Sequence, residues 1–171
     1  IMVKNEFLRG SIRGDFHSRI LIDQPLRSTA HGKLEGVDLG LVLPLEVPLI
    51  VENFSVDADQ GRVHVESAAL RWDDRHLALG GWLDFSPDGF HLDMDVSVDG
   101  LEWAKIEKIL KTGDQKTEPV KPARTEIPPL RGRIGFKTTS FEYDRFTWRP
   151  LDLEITFLPE GLKVAVREAK V

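Results

Sequence analysis

The chain has no cysteine, which excludes disulfides and thiolate-bound metals and leaves it compatible with any redox compartment, the periplasm included. It also lacks a run of about 18 apolar residues, the length a membrane-spanning helix needs. Residues 1–14 do not form the apolar centre of a signal peptide, because Lys4, Glu6, Arg9 and Arg13 are spread through them. Positive charge is scarce in the middle: residues 34–103 carry 3 basic and 15 acidic side chains. Residues 1–33 carry 6 and 3, and residues 104–171 carry 14 and 10, so the three parts sum to −12, +3 and +4. An acidic centre repels phosphates, and nucleic acid is not an expected partner.

What is present is a globular composition: 171 residues, 41 % hydrophobic and 30 % charged, enough for one domain or two small ones. The first residue is Ile1, and the chain reads as an excerpt of a longer protein. Its dominant signal is period two. From Phe90 to Val98, the residues Phe90, Leu92, Met94, Val96 and Val98 alternate with His91, Asp93, Asp95 and Ser97, the pattern of a half-buried antiparallel strand. Leu77, Leu79, Gly81, Leu83 and Phe85 precede it across a Ser86-Pro87-Asp88-Gly89 turn. The predicted hairpin sets Phe85 opposite Phe90, Leu83 opposite Leu92, Gly81 opposite Met94, Leu79 opposite Val96 and Leu77 opposite Val98.

Ala68, Leu70 and Trp72 continue that face through a turn at Asp73-Asp74-Arg75, whereas Val63 and Val65 have the opposite parity. A bulge near Ser67 reconciles them. From Val37 to Val51 every second residue is Val or Leu, with Pro44 and Pro48 in the other parity, and this reads as an edge strand or an extended crossover. Leu101–Lys111 changes to helical spacing, with Trp103, Ile106, Ile109 and Leu110 on one side. The following Pro- and charge-rich residues read as a linker. Beyond it, Leu130, Ile134 and Phe136 alternate, Phe141 and Tyr143 pair with Phe146 and Trp148, and Leu151–Phe157 pairs with Leu162–Val166 around Pro159-Glu160-Gly161.

The expected fold is therefore mainly β: an antiparallel curved sheet or open, taco-like β-groove with one short amphipathic helix. The expected organisation is a groove segment ending in the helix over 1–112, a linker over 113–129, and a further antiparallel segment over 130–171 that continues the same sheet.

No catalytic motif appears: G-x-S-x-G, P-loop, H-E-x-x-H and dinucleotide fingerprints are all absent, and no enzyme or cofactor is expected. The best polar constellation, His76, His91, Asp84 and Asp99, falls on the solvated side of the hairpin and is read as charge pairing, not as a metal site. Asp93 and Asp95 read as a solubilising face. Trp72 and Trp148 read as core, Trp103 as the helix docking on the sheet, and Trp82 as a polar-face aromatic beside Asp93.

The Leu-x-Gly-x-(Ile/Leu)-x-Phe strands around Leu79 and Leu130, the Leu70-Arg71-Trp72-Asp73-Asp74 turn, the Asp88-to-Asp95 strand and the Pro150-to-Ile155 hairpin resemble the AsmA-like group of bacterial envelope proteins, related to TamB. The resemblance covers residues 62–101 and 130–171 best. It implies a fragment of the periplasmic β-rich region of an inner-membrane-anchored protein of a didermic bacterium, whose groove carries phospholipid between the two membranes. On that reading acyl chains lie against Leu70, Leu77, Leu79, Leu83, Phe85, Phe90, Leu92, Met94, Val96 and Val98, and the membrane is met by parts outside this chain. The alternation itself suits a closed sandwich core equally well. The alternative is then a closed structural module that docks another envelope protein through the sheet edge expected at Val37–Val51.

Overall fold

The computed structural model of the chain describes residues 10–21, 27–41, 49–86, 89–107 and 129–171. Twelve strands form in chain order: β1 Ser11–Arg19, β2 Thr29–Leu41, β3 Leu49–Gln60, β4 Arg62–Trp72, β5 Arg75–Ser86, β6 Gly89–Val98, β7 Leu101–Glu102, β8 Leu130–Thr138, β9 Phe141–Tyr143, β10 Phe146–Trp148, β11 Leu151–Leu158 and β12 Gly161–Ala169. Nine of them make one sheet in the order β1-β2-β3-β4-β5-β6-β8-β11-β12, and β10-β9-β7 make a second, small one. The large sheet is open, with β1 and β12 at its two margins.

Local chemistry explains the antiparallel half. The reversals at Gln60-Gly61, Asp73-Asp74 and Asp144-Arg145 each begin with a residue at positive φ, at 57°, 57° and 54°, the twist that matches two-residue hairpin turns to their strands. The central hairpin has the register its alternation predicts: Leu77 opposes Val98, Leu83 opposes Leu92 and Phe85 opposes Phe90. The parity conflict upstream is resolved by an irregularity between Val65 and Ala68, which spans the Ser67 position. A second irregularity lies between Val51 and Asn53 and a third between Asp152 and Leu153.

Two expectations need correction. Val37–Val51 is not an edge strand. Leu41 pairs with Leu49 and Leu39 with Val51, so the run is the end of β2 and the start of β3 folded back on each other, and both strands have neighbours on both sides. Uninterrupted alternation hid the pairing of Leu39–Leu41 with Leu49–Val51, and residues 42–48, with Pro44 and Pro48, lie outside the described residues. The sheet edge proposed for docking there does not exist.

The second correction concerns the helix. Leu101 and Glu102 are strand, paired in parallel with Phe141 and Glu142, and the Leu101 N–H donates to the Ser140 carbonyl at 2.9 Å. Helix occupies 103–107, and the rest of the expected helix and residues 113–128 of the expected linker lie outside the described residues. Trp103 meets Tyr143 of the small sheet, with ring centroids 6.1 Å apart.

The last segment continues the large sheet and is antiparallel within itself, but it joins that sheet in parallel. β8 lies beside β6 with Phe90 opposite Leu130 and Val98 opposite Thr138, and the Phe90 N–H donates to the Pro129 carbonyl at 3.0 Å. Parallel neighbours require a long crossover, and the chain between β6 and β8 supplies it. β8, β11 and β12 thus extend the same sheet that β1–β6 begin.

Candidate functional site

Residues directly opposite on paired strands point to the same side of a sheet, so the register can be followed from margin to margin. One such row reads Gly14, Leu34, Val56, Val65, Gly81, Met94, Ile134, Ile155 and Val164. The next reads Phe16, Gly32, Ala58, Val63, Leu83, Leu92, Gly132, Phe157 and Leu162. Neither row contains a polar side chain. The face they define is apolar across all nine strands, and the bulges keep it so by returning each strand to the shared parity after a slip.

All ten residues singled out in the sequence fall on this face, joined by the pairs Leu70–Leu77–Val98, Leu79–Val96, Leu83–Leu92 and Phe85–Phe90, with Met94 opposite Gly81. Phe85 and Phe90 touch, with centroids 4.8 Å apart. Sequence reasoning missed how far the face extends. Leu34, Val56, Ile134, Ile155 and Val164 belong to it as fully as Met94 does. The signal for β8–β12 was in the alternation, but the parallel join that aligns it with β6 was not.

Glycines recur on this face because the neighbouring backbone comes close. A Cβ on Gly132 (φ +116°) would lie 1.8 Å from the Leu92 carbonyl oxygen, and one on Gly81 (φ +137°) 2.1 Å from that of Asp93. Only glycine fits such a position in a strand, where it marks a bend. At Gly36 the missing side chain is replaced by the ring of the opposite Phe54, which a Cβ would meet at 2.1 Å.

The face is only partly shielded. Val51, Ala58, Val65, Leu92, Val98 and Leu151 are buried, but no large side chain among the described residues is fully enclosed. Leu70, Leu77, Leu79, Leu83, Phe90, Met94 and Val96 are half-buried and Phe85 is exposed. In a closed two-sheet sandwich the middle of the central strands is the most enclosed place in the molecule. Here that place stays partly open. Thr138 is the one buried polar residue among those described. It sits between Val98 and Leu151 in the register, and its hydroxyl donates to the Ser140 carbonyl at 2.8 Å.

The opposite face is polar and internally paired. It holds a hollow of about 750 Å³ bordered by Glu66, Asp95, Arg133, Glu154 and Arg167. Arg133 reaches Asp93 at 2.7 Å and Asp95 at 3.1 Å, which raises its pKa further, chiefly through the Asp95 hydrogen bond. Arg167 bonds to Glu154. Glu66 accepts hydrogen bonds from the Ser55 hydroxyl at 2.6 Å and from Lys33 Nζ at 3.0 Å. These hold its carboxyl below the usual range, the Ser55 bond contributing most, while the hydrogen bond to Glu66 raises the pKa of Lys33. With Lys137 also on the border, three acidic and three basic side chains line the hollow, so it carries no surplus of either sign.

The polar constellation of the central hairpin does not assemble. The His76 N–H donates to Asp99 at 3.1 Å, whereas His91 and Asp84 are opposite each other near the other end of the hairpin, eight residues or about 27 Å along the strand. Asp84 is held by Arg62 at 3.0 Å. Among the described residues no group of three or more His, Asp or Glu side chains is placed to hold a metal ion. Trp82 lies beside Asp93, as its parity requires, and stacks on His64 with centroids 4.0 Å apart and planes at 13°. Trp148 packs against Phe141 and Phe146 of the small sheet, each at 5.8 Å.

No family model, no curated protein and no solved structure matches the chain. Among the described residues no helix is long and apolar enough to cross a membrane.

Proposed function

We propose that the apolar face of the nine-stranded sheet is a lipid-binding surface, a length of open β-groove along which phospholipid acyl chains lie, and that the chain is part of an AsmA-like, TamB-related envelope protein acting in the periplasm between the inner and outer membranes. One observation carries this reading: the apolar rows run unbroken across all nine strands, and although Val65 and Leu92 are buried, Leu83, Met94 and Ile134 beside them are only half-buried. The bulges and the close-approach glycines supply the bends that a groove needs. An acyl chain laid across the rows gains about 0.8 kcal/mol for each CH₂ taken from water. That gain carries no hydrogen-bond specificity, so discrimination among head groups is expected to be weak.

The role is one of binding and conduction, without catalysis or cofactor, and attachment to the inner membrane is assigned to parts outside this chain. Native mass spectrometry with lipid extraction, on protein purified from bacteria without detergent, tests the reading. Bound phospholipid at a reproducible ratio is expected, and Leu92→Asp or Met94→Asp should remove it. A clean lipid-free mass for the folded wild type would overturn the proposal.

A further inference from the structure

The five histidines are scattered along the chain, but the sheet register brings two of them together. His17 on β1 lies directly opposite His31 on β2. Both are on the polar face, and directly opposed side chains have their Cβ atoms about 4.5 to 5.5 Å apart. The other three histidines have no such partner: His64 stands between Asp57 and Trp82, His76 faces Arg71, and His91 stands between Asp84 and Arg131.

Each ring of the pair is also held by a carboxylate. His17 Nε2 lies 3.0 Å from Asp15, and His31 Nδ1 lies 3.2 Å from Asp59. A ring nitrogen that meets a carboxylate carries the proton, so in the neutral imidazoles the lone pairs fall on His17 Nδ1 and His31 Nε2. Metal-ligating histidines are arranged in this way: one nitrogen donates to a carboxylate, which fixes the tautomer and makes the other nitrogen a better ligand. The same two carboxylates offset the charge of a bound cation.

We propose that His17 and His31 form a divalent transition-metal site that clamps β1 to β2, with His17 Nδ1 and His31 Nε2 as its protein ligands. Imidazole suits Zn²⁺, Ni²⁺ and Cu²⁺, whereas Mg²⁺ and Ca²⁺ demand several oxygen ligands and are not expected. Metal–nitrogen bonds of about 2.0 to 2.1 Å require the two nitrogens to come within roughly 3 to 4 Å, a span that rings on opposed strand positions close by side-chain rotation. No third His, Asp or Glu among the described residues is placed to complete the set, so water takes the remaining positions and binding is expected to be micromolar. The inference rests on register and hydrogen bonding and is independent of what the apolar face binds.

Calorimetric titration of the full chain with Zn²⁺, without an affinity tag or chelator, tests it, with circular dichroism to verify folding of every variant. One ion should bind per chain. His17→Gln and His31→Gln should each weaken binding by about tenfold or more, and Asp59→Asn by about tenfold, while His91→Gln should match the wild type. The clamp is read by hydrogen exchange: Zn²⁺ should slow exchange of the β1 and β2 amides in the wild type and leave it unchanged in His17→Gln. No saturable Zn²⁺ binding, full-strength binding by either single histidine variant, or a bound ion that does not slow β1 exchange would overturn the proposal.

Discussion

The hairpins β5–β6 and β11–β12 are built from the same alternation, yet they meet water very differently. In the central hairpin Leu92 and Val98 are 8 % and 5 % exposed, while Leu162 and Val166 of the marginal one are 59 % and 60 % exposed. The difference lies in the neighbours. β6 is flanked by β5 and β8, whereas among the described residues β12 has β11 alone. In a single-layered sheet most of the shelter for an apolar side chain comes from strands at its sides, so burial reports position in the sheet more than residue type.

The largest effect expected from this contrast concerns glycine. Gly132→Val places a Cβ against the Leu92 carbonyl at the β6–β8 join and should cost on the order of 4 kcal/mol or prevent folding. Gly161→Ala, with nothing within 4 Å of its Cβ despite φ +152°, should cost only about 1 kcal/mol. Urea denaturation of the two variants measures the gap. Next, Leu92→Ala should lose about 2 to 5 kcal/mol, but Leu162→Ala should stay within about 0.5 kcal/mol; equal losses would show that shelter does not depend on flanking strands. A smaller effect is expected on the polar face where β4 meets β5. A double-mutant cycle on His64 and Trp82 should return a coupling of about 0.5 to 1.5 kcal/mol, and none is expected for a matched pair on β12.

The smallest effect is a pH dependence. The Glu66 carboxyl is held below its ordinary value of 4.5 by Ser55 and Lys33. Its contribution to stability is therefore present above the unfolded value and is lost as the pH falls through the folded one. Stability measured from pH 6 downward should decline less in Glu66→Gln than in the wild type, a difference kept small by solvent screening at a side chain that is 40 % exposed.

Much of the local structure was legible in the residues. Phe85 to Phe90, Tyr143 to Phe146 and Phe157 to Leu162 are pairs read directly from period two and turn chemistry, and the slip near Ser67 followed from a clash of parity between Val65 and Ala68. What could not be read was non-local. Nothing in Leu130–Phe136 says that it lies parallel to β6, because parallel pairing leaves no turn to read. The pairing of Leu39–Leu41 with Leu49–Val51 was masked because Val37 to Val51 keeps one parity throughout. Leu101 and Glu102 were taken into a helix because Trp103 and Ile106 have helical spacing, and the strand contact to β9 comes from a partner some 40 residues away in sequence. The ten apolar site residues were legible for the same reason as their hairpin; their continuation onto β2, β3, β8, β11 and β12 depended on the sheet order.

Met94 and Ser97 lie on opposite faces of the same strand, and the uptake of a fluorescent fatty-acid probe by Met94→Asp and Ser97→Asp compares the two faces directly. The wild type should bind the probe, Met94→Asp should lose binding while keeping its circular dichroism, and Ser97→Asp should match the wild type. A folded wild type that takes up no probe, or equal uptake by both variants, would contradict the assignment of lipid to the apolar face.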